Sequence, residues 1–182
     1  MIRQVDPQRW IDSLERYRVE LVTPAQVSNF ECYVEHISSE QAGDLERILA
    51  HMTDDVLYRN FGATTDTFQG KEEVRRRLLP SVEAGFPMME MQYDSFIVGS
   101  SSIGMAGTLY ASGTAAQLRG VGRVLPEGTG GDDMLIVATP IAVFFSYRDG
   151  LMCGEDAFRS AATVAPVGSL IANQSTTDTG QR

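Results

Sequence analysis

The N-terminal third of the chain places apolar side chains at three- and four-residue spacing, which is the pattern of amphipathic helices. Three such stripes follow one another: Trp10, Leu14, Tyr17 and Leu21; then Val27, Phe30, Val34 and Ile37; then Leu45, Ile48, Leu49 and Met52. Asp6-Pro7 and Thr23-Pro24 are helix-start signals, because a proline in the first turn loses no hydrogen bond. We therefore expect helices to begin there, and Gly43-Asp44 to separate the second helix from the third.

From Val56 onward the pattern changes to the period of two that is typical of strands. Strands are predicted over 56–61, 89–97, 103–116, 134–147 and 151–158. A helix from Gly70 interrupts them, and Pro80 is expected to kink it or end it. Asp149-Gly150 is a strong signal for a two-residue hairpin turn.

Helices that precede antiparallel strands indicate the α+β class. We expect helices packed on a strongly curved, mixed or antiparallel sheet that encloses a cone-shaped pocket, and such pockets commonly bind small molecules. The main domain is expected over 24–160, with a helical extension at 1–23. A flexible tail rich in Ser, Thr, Gly and Gln is expected at 161–182.

Composition narrows the classes of function. The net charge is −9, and the one basic run, Arg75-Arg76-Arg77, lies beside Glu72 and Glu73. Nucleic-acid binding is therefore disfavoured, because it needs clustered Lys and Arg. No apolar run approaches the roughly 20 residues that span a bilayer, and the N-terminus lacks the apolar core of a signal peptide. We expect a cytoplasmic protein with no membrane partner.

The residues that commonly bind metals are few and scattered. His36 and His51 are separated by a whole helix, and Cys32 and Cys153 lie far apart in the sequence. This spacing does not resemble a ligand cluster, so both thiols are expected to be reduced and buried. No glycine loop has phosphate-binding spacing. We expect neither a metal nor a cofactor.

The order of elements between Ala25 and Ser160 resembles the nuclear transport factor two superfamily. The motifs that carry the resemblance are Gly43-Asp44-Leu45, Asp54-Asp55, Leu57-Tyr58-Arg59-Asn60 and Gly70-Lys71-Glu72-Glu73-Val74. Within that superfamily the chain is most similar to the SnoaL-like polyketide cyclases and the limonene-epoxide-hydrolase group. The superfamily includes cyclases, isomerases, dehydratases, epoxide hydrolases and non-catalytic binders, so the individual residues must decide the function.

The resemblance to the epoxide hydrolases is closest at three polar positions. In that group a tyrosine and an asparagine two apart on one strand hold the attacking water, and an acid lies on the last strand. Tyr58, Asn60 and Asp156 match them in type and spacing. Tyr58 and Asn60 share a strand face and could bind a carbonyl or hydroxyl oxygen, or form a buried structural pair.

Asp156 is the expected acid or base, because a desolvated carboxyl group has a raised pKa. The alternative is a surface carboxylate. Glu155 points to the opposite face and takes this place if the strand register differs.

The central charged residues of the related enzymes are absent. The water-activating Arg and Asp of the epoxide hydrolases fall at Leu109 and Ala111, and no acidic residue nearby could replace them. The two aspartates of ketosteroid isomerases fall at Asn60 and Ala142. Neither inherited mechanism is therefore expected.

Five further residues are expected to contact the substrate: Tyr33, His36, Leu109, Tyr110 and Phe144. Tyr33 and His36 lie on the helix that roofs the cavity in this superfamily. Tyr33 is equally compatible with core packing, and His36 with the helix surface. Tyr110 belongs to a row of polar side chains that could instead form the solvated face.

These observations lead to a hypothesis of function. We expect a cofactor-independent cyclase or isomerase of natural-product biosynthesis, acting on a largely apolar substrate with a few oxygens. Tyr58 and Asn60 would polarise a carbonyl and Asp156 would move a proton, which requires the three side chains to converge. The alternatives are a dehydratase or epoxide hydrolase with an altered site, and a non-catalytic small-molecule binder or dimerisation module. A homodimer is expected, because a second subunit commonly covers the sheet in this architecture.

Overall fold

A computed structural model describes residues 4–62 and 65–167, in which helices precede and interrupt a seven-stranded sheet. The helices are α1 (Pro7–Arg18), α2 (Pro24–Ala42), α3 (Leu45–Ala50), α4 (Lys71–Glu83) and α5 (Ala115–Gly120). The strands are β1 (Met52–Phe61), β2 (Asp66–Gln69), β3 (Met88–Val98), β4 (Ser102–Thr114), β5 (Met134–Arg148), β6 (Leu151–Arg159) and β7 (Thr163–Pro166). Across these two ranges, no helix is both long and apolar enough to cross a bilayer.

The sheet is open and mixed. Its strand order is β2-β1-β6-β5-β4-β3, and β7 pairs with β5 beyond the end of β6. Strands β1 and β6 run parallel, and the other pairs are antiparallel. Helix α1 lies on β3, and α2 crosses β3, β4 and β6. We call the helix-covered side the inner face and the other side the outer face. The predicted α+β class is confirmed.

The helix boundaries follow the signals in the sequence. The carboxylate of Asp6 accepts a hydrogen bond from the backbone N–H of Gln8 at 3.0 Å. Thr23 and Gln26 cap the start of α2 reciprocally. Gly43 ends α2 in the left-handed region at φ 66°, which a side chain would disfavour.

Other elements differ from the sequence-based expectation. Pro80 does not end α4, which continues to Glu83. Its missing N–H removes one hydrogen bond near the end of a surface helix, and the helix tolerates this. The short elements α5, β2 and β7 were not predicted, because four to six residues show no clear periodicity. Strand β7 lies in the segment assigned to the tail, and the rest of that segment, 168–182, lies outside the described residues.

The expected hairpin turn follows β5, and a proline lies within the strand itself. The hairpin to β6 has φ 54° at Asp149 and φ 77° at Gly150, as the Asp-Gly signal predicts. Pro140 lies between the segments that pair with β6 and with β7. Its carbonyl accepts from the backbone N–H of Ser160 on that side at 3.0 Å. The missing N–H therefore points into the gap between the two partner strands.

A β-bulge in β3 reverses which residues are buried. Asp94 is the extra residue in the pairing with β4. Phe96 is therefore buried, while Ile97, which alternation from the buried Met89 and Met91 would turn inward, is 70% exposed. Gly107 opposite the bulge is required, because a Cβ there would lie 2.0 Å from a backbone oxygen of β3.

A second bulge, in β6, decides which carboxyl group faces the helices. Cys153 is the extra residue in the pairing with β5. Counting by twos from the buried Met152 would turn Asp156 inward. The bulge turns Glu155 inward instead.

Helix α1 shares the hydrophobic core with the rest of the described chain. Trp10 and Leu14 are buried against it. The indole N–H of Trp10 donates to the hydroxyl of Tyr93 at 2.6 Å. Glu90 is buried on β3 and accepts a hydrogen bond from Arg9 at 2.9 Å. These polar contacts fix α1 on the edge strand.

Candidate functional site

A partly buried acid lies where β1 and β6 run side by side. Tyr58 and Glu155 are direct neighbours in the parallel pair. The Tyr58 hydroxyl donates a hydrogen bond to the Glu155 carboxylate. The ring of Phe68 stacks on that of Tyr58 with 5.0 Å between centroids, and Phe145 is the neighbour of Glu155 on β5. The acid is therefore set between aromatic side chains on the inner face.

Burial raises the pKa of Glu155 to about 7, from an ordinary value of 4.5. The cation of Arg159 opposes this rise, the charge of Glu40 adds to it, and His36 and the hydrogen bond from Tyr58 lower it again. A carboxyl group with this pKa exists in both protonation states near neutral pH. It can therefore take up a proton and return it.

A histidine–glutamate pair lies behind this acid on α2. His36 is 2% exposed, and its Nε2 lies 3.5 Å from Oε1 of Glu40 one turn further on. Burial by itself lowers the pKa of His36, but the charge and hydrogen bond of Glu40, together with the charge of Glu155, raise it above its ordinary value. The surface position considered for His36 is wrong. The side chain is a buried titratable group whose charge acts on Glu155.

Four further polar side chains, which we call the rim, lie on the inner face beyond Glu155: Asn60, Arg123, Thr139 and Arg159. Arg159 donates to the Oδ1 atom of Asn60, and Arg123 donates to the Oγ1 atom of Thr139 at 3.4 Å. Burial, and then the neighbouring charge of Arg159, lower the pKa of Arg123 to about 10. Asn60, Arg123, Arg159 and Glu155 each keep part of their surface exposed. Solvent therefore reaches this end of the cluster.

Asp156 does not face Tyr58, contrary to the prediction. It pairs with Arg59 across the parallel strands on the outer face. The two form a forked salt bridge, with 2.6 Å between the Arg59 Nε and the Asp156 Oδ1. The physical reason is the bulge at Cys153, which shifts the alternation of β6 by one residue. Glu155, the alternative from the sequence, takes the inner position.

Two of the expected substrate contacts, Tyr110 and Phe144, also lie on the outer face. Leu109 directly precedes Tyr110 on β4, so these two side chains point to opposite sides of the sheet. Leu109 pairs with Thr139 on the inner face and packs against the core. Tyr110 lies on the outer face, as does Phe144, which is 52% exposed and contacts Phe158. The expectation that Tyr110 and Phe144 line the pocket is therefore wrong.

Tyr33 belongs to the core. It is fully buried, and its hydroxyl lies 2.9 Å from that of Tyr93 and 3.3 Å from the sulfur of Met105. Its ring packs against Phe96 and Phe145. The hydroxyl is thus committed to the chain of hydrogen bonds that reaches α1, which is the core-packing alternative.

The positions of the missing charged residues are apolar in the structure. Leu109 and Ala111 both lie on the inner face of β4, and Ala111 is fully buried. Ala142, which aligns with an acid of the ketosteroid isomerases, pairs with Phe158 on the outer face. The titratable side chains with raised pKa values at this site, Glu155 and His36, come from β6 and α2.

The surroundings of the site include a surface depression but, among the described residues, no metal cluster. Within the described ranges, no three His, Cys, Asp or Glu side chains gather closely enough to hold a metal ion. A surface depression beside β2 and α4 is lined in part by Phe68, whose ring stacks on that of Tyr58, and a second depression lies beside the N-terminal segment.

The sequence analysis missed both arginines of the rim. Arg159 lies four residues after Glu155, so simple alternation assigns it to the inner face once the bulge is known. Arg123 lies in the Gly- and Pro-rich segment between α5 and β5, where no periodicity shows which way a side chain points.

Comparisons with known proteins agree with this architecture. The family described as SnoaL-like domain matches residues 33–154. A protein described as a SnoaL-like polyketide cyclase from Shewanella putrefaciens has 12% identity and a TM-score of 0.60, over 87% of this chain and 91% of the other. The epoxide hydrolase/cyclase-like enzyme SalBIII, which has a role in pyran ring formation in salinomycin, has 16% identity and a TM-score of 0.53, over 76% and 95%.

An epoxide hydrolase from M. tuberculosis that is like limonene epoxide hydrolase has 14% identity and a TM-score of 0.51, over 72% of this chain and 82% of the other. At these identities the likeness concerns the fold. No curated protein matches the chain.

Proposed function

The chain belongs to the SnoaL-like domain family, and from that premise we propose that it is a cofactor-independent cyclase or isomerase of natural-product biosynthesis. Its substrate is largely apolar and carries a few oxygens. The observation that carries the proposal is the Glu155 carboxyl group on the inner face, with a pKa raised to about 7 and a hydrogen bond from Tyr58. An acid in this state suits proton transfer near neutral pH.

The proposed chemistry begins with removal of a proton from a carbon next to a substrate carbonyl. The Glu155 carboxylate takes this proton, and the electron pair of the C–H bond moves onto the carbonyl oxygen as an enolate. Tyr58 stays protonated, because burial raises its pKa well above the ordinary value, and its single O–H keeps donating to the Glu155 carboxyl group. The Oδ1 atom of Asn60 already accepts from Arg159, which leaves the Asn60 amide N–H groups to donate to the enolate oxygen.

The second half of the reaction returns the proton. In an isomerase, Glu155 protonates a different carbon of the enolate. In a cyclase, the enolate carbon attacks a second carbonyl, and Glu155 protonates the new alkoxide. The charge of His36 lowers the pKa of Glu155 and so favours its ionised form in the first half. Apolar inner-face side chains such as Leu109 hold the substrate in the reacting conformation.

The adjacent residues Glu155 and Asp156 allow a matched test. We expect wild-type protein to accelerate the isomerisation of 3-cyclohexen-1-one to 2-cyclohexen-1-one, with exchange of the α-proton in D₂O, both followed by NMR. Glu155→Gln should lower the rate about 100-fold or more, because general acid–base catalysis contributes about 10²–10⁴. Asp156→Asn, on the outer face, should change it by less than about twofold.

Two results would contradict the proposal: full activity of Glu155→Gln, or an equal loss in Asp156→Asn. Binding of the ketone without any exchange above the buffer rate would instead identify a non-catalytic binder. A β-hydroxy ketone and an epoxide offered to the same three proteins test the dehydratase and epoxide hydrolase alternatives.

We also propose that the chain forms a homodimer through the outer face. Phe144 is 52% exposed and Phe158 45%, and Phe61 stacks on Phe158 with 4.6 Å between ring centroids. Aromatic side chains grouped on an exposed sheet face are typical of an interface. Sedimentation equilibrium should show a dimer that Phe158→Asp converts to monomer, and a monomeric wild type would refute the proposal.

We propose a cytoplasmic location, supported by the two cysteines. Cys32 and Cys153 are both free thiols, as expected of a reducing compartment. Cell fractionation with antibody detection tests this, and recovery from the extracellular fraction would refute it.

A further inference from the structure

Two arginines meet at the rim without a carboxylate partner. Several surface arginines are ion-paired, such as Arg59 with Asp156 and Arg148 with Asp55, whereas Arg119 bonds a backbone carbonyl. Arg123 and Arg159 form no ion pair with any residue that the structure describes. Each bonds only a neutral oxygen, of Thr139 or of Asn60. The rim therefore brings two cations together, with Glu155 as an acid within electrostatic reach of Arg159, in a chain whose net charge is −9.

The surroundings of Arg123 disfavour a positive charge that no anion balances. The Nε atom of Arg123 is buried and has no hydrogen-bond partner among the described residues. Burial and the charge of Arg159 both disfavour its charged form, which lowers its pKa to about 10. Removing a guanidinium from water is costly unless an anion accepts its hydrogen bonds. An anion placed between the two side chains would remove both penalties.

The rim lies on the same inner face as Glu155, further along β6. Four residues along β6 separate Glu155 from Arg159, so their Cα atoms lie about 13 Å apart at the rise of a strand. The guanidinium of Arg159 reaches back far enough to lower the pKa of Glu155. Leu109, opposite Thr139 of the rim, provides an apolar surface on the inner face.

We propose that Arg123 and Arg159 bind a carboxylate on the substrate, and so orient its apolar body toward Glu155. The inference rests on the proposed function, of which it names the substrate class. A guanidinium presents parallel N–H groups that match the two oxygens of a carboxylate. Thr139 and Asn60 hold the two guanidinium groups through neutral contacts, which leave the remaining N–H groups free for the ligand.

A pair of probes that differ only in charge tests the inference. We would measure the binding of 2-naphthoate and its methyl ester to the full chain by isothermal titration calorimetry, at one pH and fixed ionic strength. The wild type should bind the carboxylate at least about tenfold more tightly than the ester, since charge-assisted hydrogen bonds are about twice as strong as neutral ones. Arg159→Met and Arg123→Met should each remove most of that preference.

Three controls keep the test decisive. Arg119→Met removes a nearby cation that bonds the backbone carbonyl of Thr129 and should leave the preference intact. Arg159→Lys retains charge without the planar fork, so it should keep part of the preference even if Arg159→Met folds poorly. Equal binding of both probes by the wild type, or loss of preference in Arg119→Met alone, would overturn the inference.

The outcome is separable from that of the proposed function. Glu155→Gln should keep the preference for 2-naphthoate while losing isomerase activity. If the carboxylate preference is present but the ketone is not isomerised, the rim is an anion site and the acid–base proposal fails. If the ketone is isomerised without a carboxylate preference, the rim inference fails and the acid–base proposal stands.

Discussion

The two faces of β6 give the same chemical group opposite environments. Glu155 and Asp156 are adjacent carboxylic acids one methylene apart in length. Glu155 lies among aromatic rings on the inner face, with a hydrogen bond from Tyr58 and a pKa raised to about 7. Asp156 lies on the outer face in a salt bridge with Arg59. Desolvation and neighbouring groups decide whether the pKa of a carboxyl group suits proton transfer. The face of the strand on which the residue lies decides both the desolvation and the neighbours.

On β5, the strand next to β6, two phenylalanines show the same difference between the inner and outer faces. Phe145 is buried beside Glu155 and contacts Tyr33 and His36, while Phe144, beside Asp156, is exposed. The inner face therefore carries both the core and the candidate chemistry. The outer face carries the groups that a partner surface or solvent would meet.

The largest expected difference between the inner and outer faces is in their contribution to the free energy of unfolding. Phe145→Ala should lower the free energy of unfolding by about 3–5 kcal/mol, because it leaves a cavity in the packed inner face. Phe144→Ala should lower it by less than about 1 kcal/mol, since its ring is already half in solvent. Urea denaturation measures both at a protein concentration where the oligomeric state of the two variants is the same. Equal losses would show that the two faces are not energetically distinct.

The next effect is a dependence of stability on pH. The folded state binds a proton on Glu155 more tightly than the unfolded state, so this group favours folding fully below pH 4.5. That contribution is lost as the pH rises from 4.5 through about 7. The whole shift corresponds to about 3 kcal/mol. The raised pKa of His36 has the same sign, with its loss beginning above pH 6.5.

Glu155→Gln should therefore flatten the fall in stability between pH 4.5 and 7, and Asp156→Asn should leave that part of the fall in place. Urea denaturation at a series of pH values measures the effect. An unchanged slope in Glu155→Gln would mean that Glu155 titrates normally in the folded protein.

The smallest effect concerns the hydrogen bond between Tyr58 and Glu155. Tyr58→Phe should raise the pKa of Glu155 further, because that bond stabilises the carboxylate. The free energy of unfolding should fall by about 1 kcal/mol, the usual net value of one hydrogen bond. Carbon-13 NMR titration of the carboxyl group reports the pKa. Tyr110→Phe, on the outer face, is the control, and a lowered pKa in Tyr58→Phe would contradict the geometry described.

Part of the site was predictable from local patterns. Tyr58 and Asn60 share the inner face because they lie two apart on a regular stretch of β1. Leu109 lies on the inner face for the same reason on β4. Asp156 and Phe144 were misplaced because alternation shows which residues share a face without showing which face it is. The bulges at Cys153 and Asp94 then change the count within a strand.

The sequence by itself determined the α+β class, the helix boundaries at Thr23 and Gly43, and the hairpin at Asp149-Gly150, because these depend on contacts within a few residues. Only the tertiary structure decided which carboxyl group is buried. The extra residue at Cys153 exists only in the pairing of β6 with β5, and a bulge has no local signal when either register satisfies the backbone. The meeting of Arg123 with Arg159 depends likewise on long-range contacts, since a segment between α5 and β5 must fold back over the end of β6.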